Sequence, residues 1–274
     1  MKIEEGIILN AINAAIEAGC AIMKIYESDD FEIEQKSDQS PLTLADKRSH
    51  DIIKSVLQNT DYPILSEEGR DIDYSERKKW DNFWLVDPLD GTKEFIKKND
   101  EFTVNIAFIS KGRPVLGIIY VPVKKELYFA AQDFGSVKCL ECESKFSSIE
   151  EIRSKGIRLP IEQWDKRSIA VVGSRSHMSE PTEAFIEKLR SSYSDVKLIS
   201  RGSSLKLCMV AEGGAQLYPR FAPTMEWDTA AGQAIVEISG GEVLKYPDLD
   251  PLLYNKEELK NPWFIVSMDR TLLN

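Results

Sequence analysis

A chain of 274 residues has room for one large domain or two modest ones that share an interface. With 42% apolar and 29% charged residues it reads as an ordinary globular protein, which excludes a disordered chain. A formal charge of −10 argues against broad binding of nucleic-acid polymers, which requires a basic face.

Residues 4–26 place Ile8, Ile12, Ala15, Ile16 and Met23 at helical spacing, which predicts an amphipathic helix packed on a sheet, with Gly19 allowing a neighbour to approach closely. No apolar run is expected to span a membrane, and the opening MKIEEG is too acidic for a secretory signal, so the expected address is the cytoplasm, with peripheral attachment to the inner membrane's cytoplasmic face left open. A short strand is expected at 32–36, and Ser40-Pro41-Leu42-Thr43 leads into a second helix over about 44–57 with Asp46 in its first turn. The apolar stretch 62–65 ends at the acidic pair Glu67-Glu68.

The densest chemistry lies at 84–92, WLVDPLDGT. Residues 83–86 form an apolar run suited to a buried strand, and Pro88, lacking an N–H, is expected to stop sheet pairing just after Asp87. Asp90 follows, then Gly91, and Thr92 opens a short helix. Carboxylates are hard oxygen ligands suited to Mg²⁺, and the N–H groups of Gly91 and Thr92 could face a phosphate. A lone Asp-Gly would be mere turn chemistry. The second acidic pair at Glu67-Glu68, at another strand end, makes a metal site the better reading.

Strands are expected at 103–110, 115–121 and 126–130, an antiparallel meander covered by helices. Periodicity fades over 132–167, which marks a variable excursion and a junction between units 1–130 and 131–274. Cys20 and Cys208 read as buried thiols; Cys139 and Cys142 form a lone CxxC without the further ligands of a zinc site. Beyond lie a strand at 168–172 ending in Gly173-Ser174-Arg175-Ser176-His177, a helix at 181–190 and a strand at 196–200. Gly202-Ser203-Ser204 is expected to cap a helix at 205–212. Lys206 in its first turn opposes the helix dipole unless it serves a ligand. A strand at 215–218 is followed by Arg220, Asp228 stands as a cap before a small-residue helix at 230–237, and 263–266 completes a second sheet.

Ser66-Glu67-Glu68-Gly69, DPLDGT and Trp227-Asp228-Thr229-Ala230-Ala231-Gly232 together resemble the inositol monophosphatase superfamily of metal-dependent phosphatases. The run GTKEFIKKNDEFTVNIAFI, the segment GSSLKLCMVAEGGAQLYPR and Ser174-Arg175-Ser176 with His177 resemble its branch of CysQ-type 3′(2′),5′-bisphosphate nucleotidases. The resemblance implies an α/β (α+β) fold, an inositol-monophosphatase-like layered α/β/α/β/α sandwich. It also implies two Mg²⁺ ions, one held by Glu67, Asp87 and the Leu89 carbonyl, the other by Asp87, Asp90 and Asp228, with a third near Glu67 left open. SPLTLAD is similar to the family's SPxTxAD pattern, which implies that Asp46 holds the Thr92 hydroxyl and that the pair activates water. Gly91, Thr92, Ser174, Arg175, His177, Ser203, Lys206 and Arg220 are implied as substrate contacts; Lys36, just before SPLTLAD, is left open between a contact to phosphate or metal and an exposed surface lysine.

The implied reaction is hydrolysis of adenosine 3′,5′-bisphosphate (PAP) to AMP and phosphate, with its sulphated relative (PAPS) a second candidate, a role in sulphate assimilation and inhibition by Li⁺. Inositol monophosphate or a sugar bisphosphate is the alternative substrate. A nucleotide sensor without turnover is the alternative of another class, against which the joint presence of Asp46, Glu67, Asp87, Asp90, Thr92 and Asp228 weighs.

Overall fold

The computed structural model describes residues 3–28, 31–35, 41–162, 164, 168–173 and 179–273. Helix α1 (Glu5–Ser28) is followed by the two-residue pair β1 (Glu34–Gln35) and β2 (Pro41–Leu42), and then by α2 (Leu44–Leu57). Thr43 caps α2, and Asp46 returns the bond to the Thr43 N–H, so the helix starts where the capping residues place it. A large sheet follows, built from β3 (Ile64–Ser66), then, after the single turn α3 (Tyr74–Arg77), β4 (Asn82–Asp90). After the short α4 (Thr92–Ile96) come β5 (Thr103–Ser110), β6 (Arg113–Val121), β7 (Glu126–Ala131) and β8 (Gly135–Cys139); α5 (Ile149–Lys155) precedes the edge strand β9 (Ile157–Arg158). Spatial order equals chain order, β3 to β9, and every pairing is antiparallel except that of β3 with β4.

The second sheet has the order β11-β10-β12-β14-β13, with β10 (Ser168–Gly173), β11 (Asp195–Ser200), β12 (Leu217–Arg220), β13 (Glu242–Lys245) and β14 (Phe264–Ser267). Helices α6 (Glu180–Ser192), α7 (Leu205–Glu212) and α8 (Glu226–Ile238) complete it.

Strand alternation sorts the side chains into layers. On β5, Val104, Ile106 and Phe108 enter a core with α1 and α2, while Ala107 and Ile109 enter a second core with α7 and α8. A third core lies between the far face of the second sheet and α6. The order is therefore α1/α2, first sheet, α7/α8, second sheet, α6, the layered sandwich expected from the resemblance.

Several expectations need correction. The excursion at 132–167 contains β8, α5 and β9, whose short runs carry too little periodicity to read, although Val137, Cys139, Ile149 and Ile152 are buried. The first sheet consequently runs on to Arg158, across the division expected after residue 130. Cys20 is exposed on α1, whereas Cys139, Cys142 and Cys208 are buried. Among the described residues α1 is long and apolar enough to cross a membrane, contrary to expectation; its Ile8, Ile12, Ile16 and Ile22 are packed into the first core. A Cβ at Gly19 would stand 2.4 Å from the Tyr120 ring, so the expected close approach occurs there.

Gly117 on β6 lets α8 lie directly on the sheet: a Cβ would stand 2.2 Å from the Ala231 carbonyl oxygen and 2.9 Å from the Ala234 Cβ. Gly117→Ala should cost about 1–3 kcal/mol of stability in urea unfolding, as overpacking does. Gly6→Ala, on the exposed side of α1 with nothing near its Cβ, should instead gain up to about 1 kcal/mol from helix propensity.

Candidate metal centre

The centre begins with an irregularity in β4. Asp87 pairs with Asn105 and Asp90 with Thr103, so three residues of advance on β4 match two on β5. In a regular strand, positions 87 and 90 would face opposite sides of the sheet. The extra residue returns both to one side: Asp87 continues the Phe83 and Leu85 face, Leu89 turns into the first core, and Asp90 comes back to the face of α7 and α8.

Pro88 therefore does not end the strand, as expected, but sits inside the bulge. β3 reaches only the Val86 register, so the missing N–H of Pro88 removes no ladder bond there. Its carbonyl accepts from the buried Ser49 hydroxyl at 2.6 Å, a tie that sequence reasoning missed.

Asp228 arrives from the other half. α8 starts at Glu226, earlier than expected, so Asp228 lies in its first turn, where Oδ2 accepts the Met225 N–H at 2.9 Å. Carboxylate oxygens of Asp87, Asp90 and Asp228 all lie within 4.8 Å of one another. Each of these carboxylates has an oxygen held by protein donors: Asp87 Oδ1 by the Leu89 N–H at 3.1 Å, Asp228 Oδ2 by Met225, and Asp90 Oδ2 by Ser203 and Ser204. Burial, then the nearby charges of Asp90 and Glu67, hold the Asp228 carboxyl well above the usual carboxylate range. Glu67 lies just after β3 in a single 3₁₀ turn, outside the group of three, with its charge felt at Asp228.

Asp46 and Thr92 meet as expected. Asp46, fully buried, accepts the Thr92 hydroxyl at 3.1 Å through Oδ1, while Oδ2 accepts the Thr43 N–H and hydroxyl at 2.7 and 2.6 Å. The Thr92 hydroxyl also lies 3.3 Å from the Leu89 carbonyl. Gly91 has φ of +97°, and a Cβ there would stand 3.0 Å from the Glu101 carbonyl oxygen, so the turn into α4 requires glycine.

Ser203 and Ser204 do not cap α7 through their side chains. Ser204, at φ −70° and ψ −2°, sends its hydroxyl 2.6 Å to Asp90 and 2.9 Å to the Asp228 carbonyl, and Ser203, at φ +49°, sends its own 2.6 Å to Asp90. Glu101, also missed, accepts the Gly202 N–H at 2.8 Å and fixes the same loop.

A cleft of about 470 Å³ joins these residues to Lys206, Tyr218 and Arg220. Lys206 is buried, which pulls its ammonium down to about 8, and Nζ donates to the carbonyls of Ser203 and Arg201 at 2.5 and 3.4 Å. Arg220 donates from Nη2 to the Pro223 carbonyl, and its buried Nε has no hydrogen-bond partner among the described residues. Lys36, Ser174, Arg175 and His177 lie outside the described residues.

The profile of the inositol monophosphatase family matches residues 4–261. The chain belongs to the inositol monophosphatase family. The 3′(2′),5′-bisphosphate nucleotidase CysQ of Salmonella typhimurium is 43% identical over 257 residues, which cover 93% of this chain and 96% of that protein. That of Escherichia coli K12 is 43% identical over 258 residues, with the same coverage. The crystal structure of CysQ from Bacteroides thetaiotaomicron, a bacterial member of the family, matches with a TM-score of 0.87 at 50% identity, over 95% of this chain and 96% of that one. SuhB from Bartonella henselae shares the fold, with a TM-score of 0.70 at 22% identity over 98% of this chain and 96% of that one. The family is metal-dependent, and the cluster fits a divalent cation: its donors are hard oxygens, gathered from three carboxylates within 4.8 Å of one another.

Mg²⁺ added to metal-stripped protein at about a hundred times its Kd should add ~2.7 kcal/mol of stability. Asp90→Asn should keep the fold yet lose both this gain in thermal unfolding and the Mg²⁺-dependent turnover. An equal gain in the variant would count against the metal role of Asp90.

Proposed function

We propose that the chain is a Mg²⁺-dependent 3′(2′),5′-bisphosphate nucleotidase that hydrolyses adenosine 3′,5′-bisphosphate to AMP and phosphate, with the sulphated nucleotide as a second substrate. The observation that carries this reading is the lining of the cleft: Asp90 and Asp228 of the carboxylate cluster share its walls with Lys206 and Arg220. A substrate with two phosphates can engage both sets of residues. A monoester leaves the cationic groups without an anion, including the Arg220 Nε that has no hydrogen-bond partner among the described residues. The 43% identity to nucleotidases of this specificity supports the same substrate class.

In this reading Asp87, Asp90 and Asp228 would hold one ion, and Glu67, Asp87 and the Leu89 carbonyl would hold another. The ions supply Lewis acidity toward the phosphoryl oxygens and lower the pKa of water. The protein's own part is the proton path. Thr92 donates its hydroxyl hydrogen to Asp46, which turns an oxygen lone pair outward to the attacking water. As the water's oxygen bonds to phosphorus, its proton passes to Thr92 Oγ1 and the Thr92 proton to Asp46, while the bond from phosphorus to the ribose 3′-oxygen breaks and that oxygen takes up a proton from solvent water. Thr43 keeps Asp46 in place by occupying its other oxygen. Arg220 and Lys206 orient the second phosphate, Ser174, Arg175 and His177 are assigned to the nucleoside side, and Gly91 and Ser203 line the reacting end.

Phosphate release from adenosine 3′,5′-bisphosphate and from inositol 1-phosphate, at matched concentrations with Mg²⁺, tests the substrate. The nucleotide should have the far larger kcat/KM; preference for the inositol ester would overturn the reading of the cationic residues. Arg220→Ala should raise KM for the bisphosphate by roughly 10–100-fold, the loss of a charge-assisted hydrogen bond, and change that for a monophosphate much less.

The ammonium of Lys206 is lost as pH rises through about 8, so kcat/KM for the bisphosphate should fall above that pH. Lys206→Gln, with no charge to lose, should show a lower and flatter profile in the same pH series.

A further inference from the structure

We propose that Asn105 is a positioning residue for the metal centre: it sets the direction of the hydrogen bonds around Asp90, so that the carboxylate is presented to the cation in one fixed orientation. Asn105 lies on β5 directly opposite Asp87, and Thr103 opposite Asp90, both on the side of the sheet that faces α7. Asn105 is 1% exposed, so its amide has no recourse to solvent. Its Oδ1 accepts the Thr103 hydroxyl at 2.9 Å, while Nδ2 donates to the Ser204 hydroxyl oxygen at 2.8 Å and to Asp90 Oδ2 at 3.3 Å. Ser203 donates to Asp90 Oδ2 at 2.6 Å, and its oxygen lies 2.8 Å from the Thr103 hydroxyl, whose one hydrogen is shared between Asn105 Oδ1 and Ser203 Oγ; this closes a ring of five side chains.

The order of donors around that ring follows from Asp90. An ionised carboxylate only accepts, so the flipped amide, with Oδ1 turned toward Asp90, would set two acceptors against each other. Held the right way round, the NH₂ group of Asn105 fills a lone pair of Ser204 Oγ. The single hydrogen of Ser204 must then point outward, to Asp90 Oδ2 or to the Asp228 carbonyl. Every hydrogen bond to the Asp90 carboxylate among the described residues goes to Oδ2. Asn105 thus links strand, helix start and carboxylate, and couples the loop 201–204 of the second half to a metal ligand of the first. Partners of this kind around metal-binding carboxylates typically govern affinity by about 10–100-fold.

The inference rests on Asp90 being a metal ligand, and its test is independent of the substrate. Calorimetric titration of MgCl₂ into metal-stripped wild type, Asn105→Leu, Ser204→Ala and the double variant gives four affinities, with metal-free melting temperatures measured alongside as the check on folding. Asn105→Leu should weaken Mg²⁺ binding about tenfold or more. Because the two residues act on one carboxylate through one hydroxyl, the double variant should be no more than about threefold weaker than the worse single one. A merely structural role would lower the melting temperature and leave the Mg²⁺ affinity alone. An Asn105→Leu affinity within threefold of wild type, or additive losses in the double variant, would overturn the proposal; if Asn105→Leu does not fold, an unchanged affinity in Ser204→Ala does so. Wild type that binds Mg²⁺ but turns over no nucleotide would fail the substrate reading alone, whereas wild type that binds no Mg²⁺ would fail this one.

Discussion

Three carboxylates held within 4.8 Å of one another are the feature that the rest of the molecule has to support. At an effective dielectric near 20, two unit charges about 5 Å apart repel by roughly 3 kcal/mol. Left alone, such a cluster would splay or take up protons; burial first, and then the neighbouring charges, raise the Asp228 carboxyl. The protein meets it with directed donors: the Leu89 and Met225 N–H groups and the two hydroxyls and one N–H that Ser203 and Ser204 bring to Asp90. A divalent cation would balance the remainder, so the same repulsion that strains the fold would favour binding of a metal.

Holding the cluster requires that two halves of the chain meet without slack. α8 carries Asp228, and its position is set by contact with the first sheet at Gly117 and with α7 at Gly232, where a Cβ would stand 2.4 Å from Leu207 Cδ1. The start of α8 is further anchored by the fully buried Glu226, which accepts the backbone N–H groups of Asn255 and Lys256 and the Lys256 ammonium. From the opposite side, the bulge in β4 aims Asp87 and Asp90 at the same point. Small residues and a bulge, rather than further polar groups, make the close approach.

The cleft brings both signs of charge together. Asp90 and Asp228 line it with Lys206 on α7 and Arg220 on β12. Burial costs the Lys206 ammonium its hydration, which the charges of Asp90, Glu94 and Glu101 and the Ser203 and Arg201 carbonyls offset in part and an anionic ligand would offset further. A protein with a net charge of −10 can thereby receive a polyanion, because the attraction is local.

Much of this was legible in the residues. Helical spacing marked α1, its start signals marked α2, and apolar runs marked β4, β5 and β6, while DPLDGT with WDTAAG pointed to the carboxylates that the fold brings together, because few other roles require that chemistry at that spacing. Short elements such as β8, α5 and β9 stayed hidden, since five or seven residues hold too little pattern. Ser203 and Ser204 looked like ordinary caps, as hydroxyls before a helix usually are, and only their distance to Asp90 reassigns them. Thr103 and Asn105 left a faint signal, two polar residues of one parity in an otherwise apolar strand. By itself, then, the sequence determined the family, the layered class of fold and the carboxylates, because these depend on residue type and local spacing. Tertiary structure alone decided that Asp87 and Asp90 share a face and which hydroxyls serve Asp90, because a bulge and a contact more than a hundred residues apart in sequence leave no period to read.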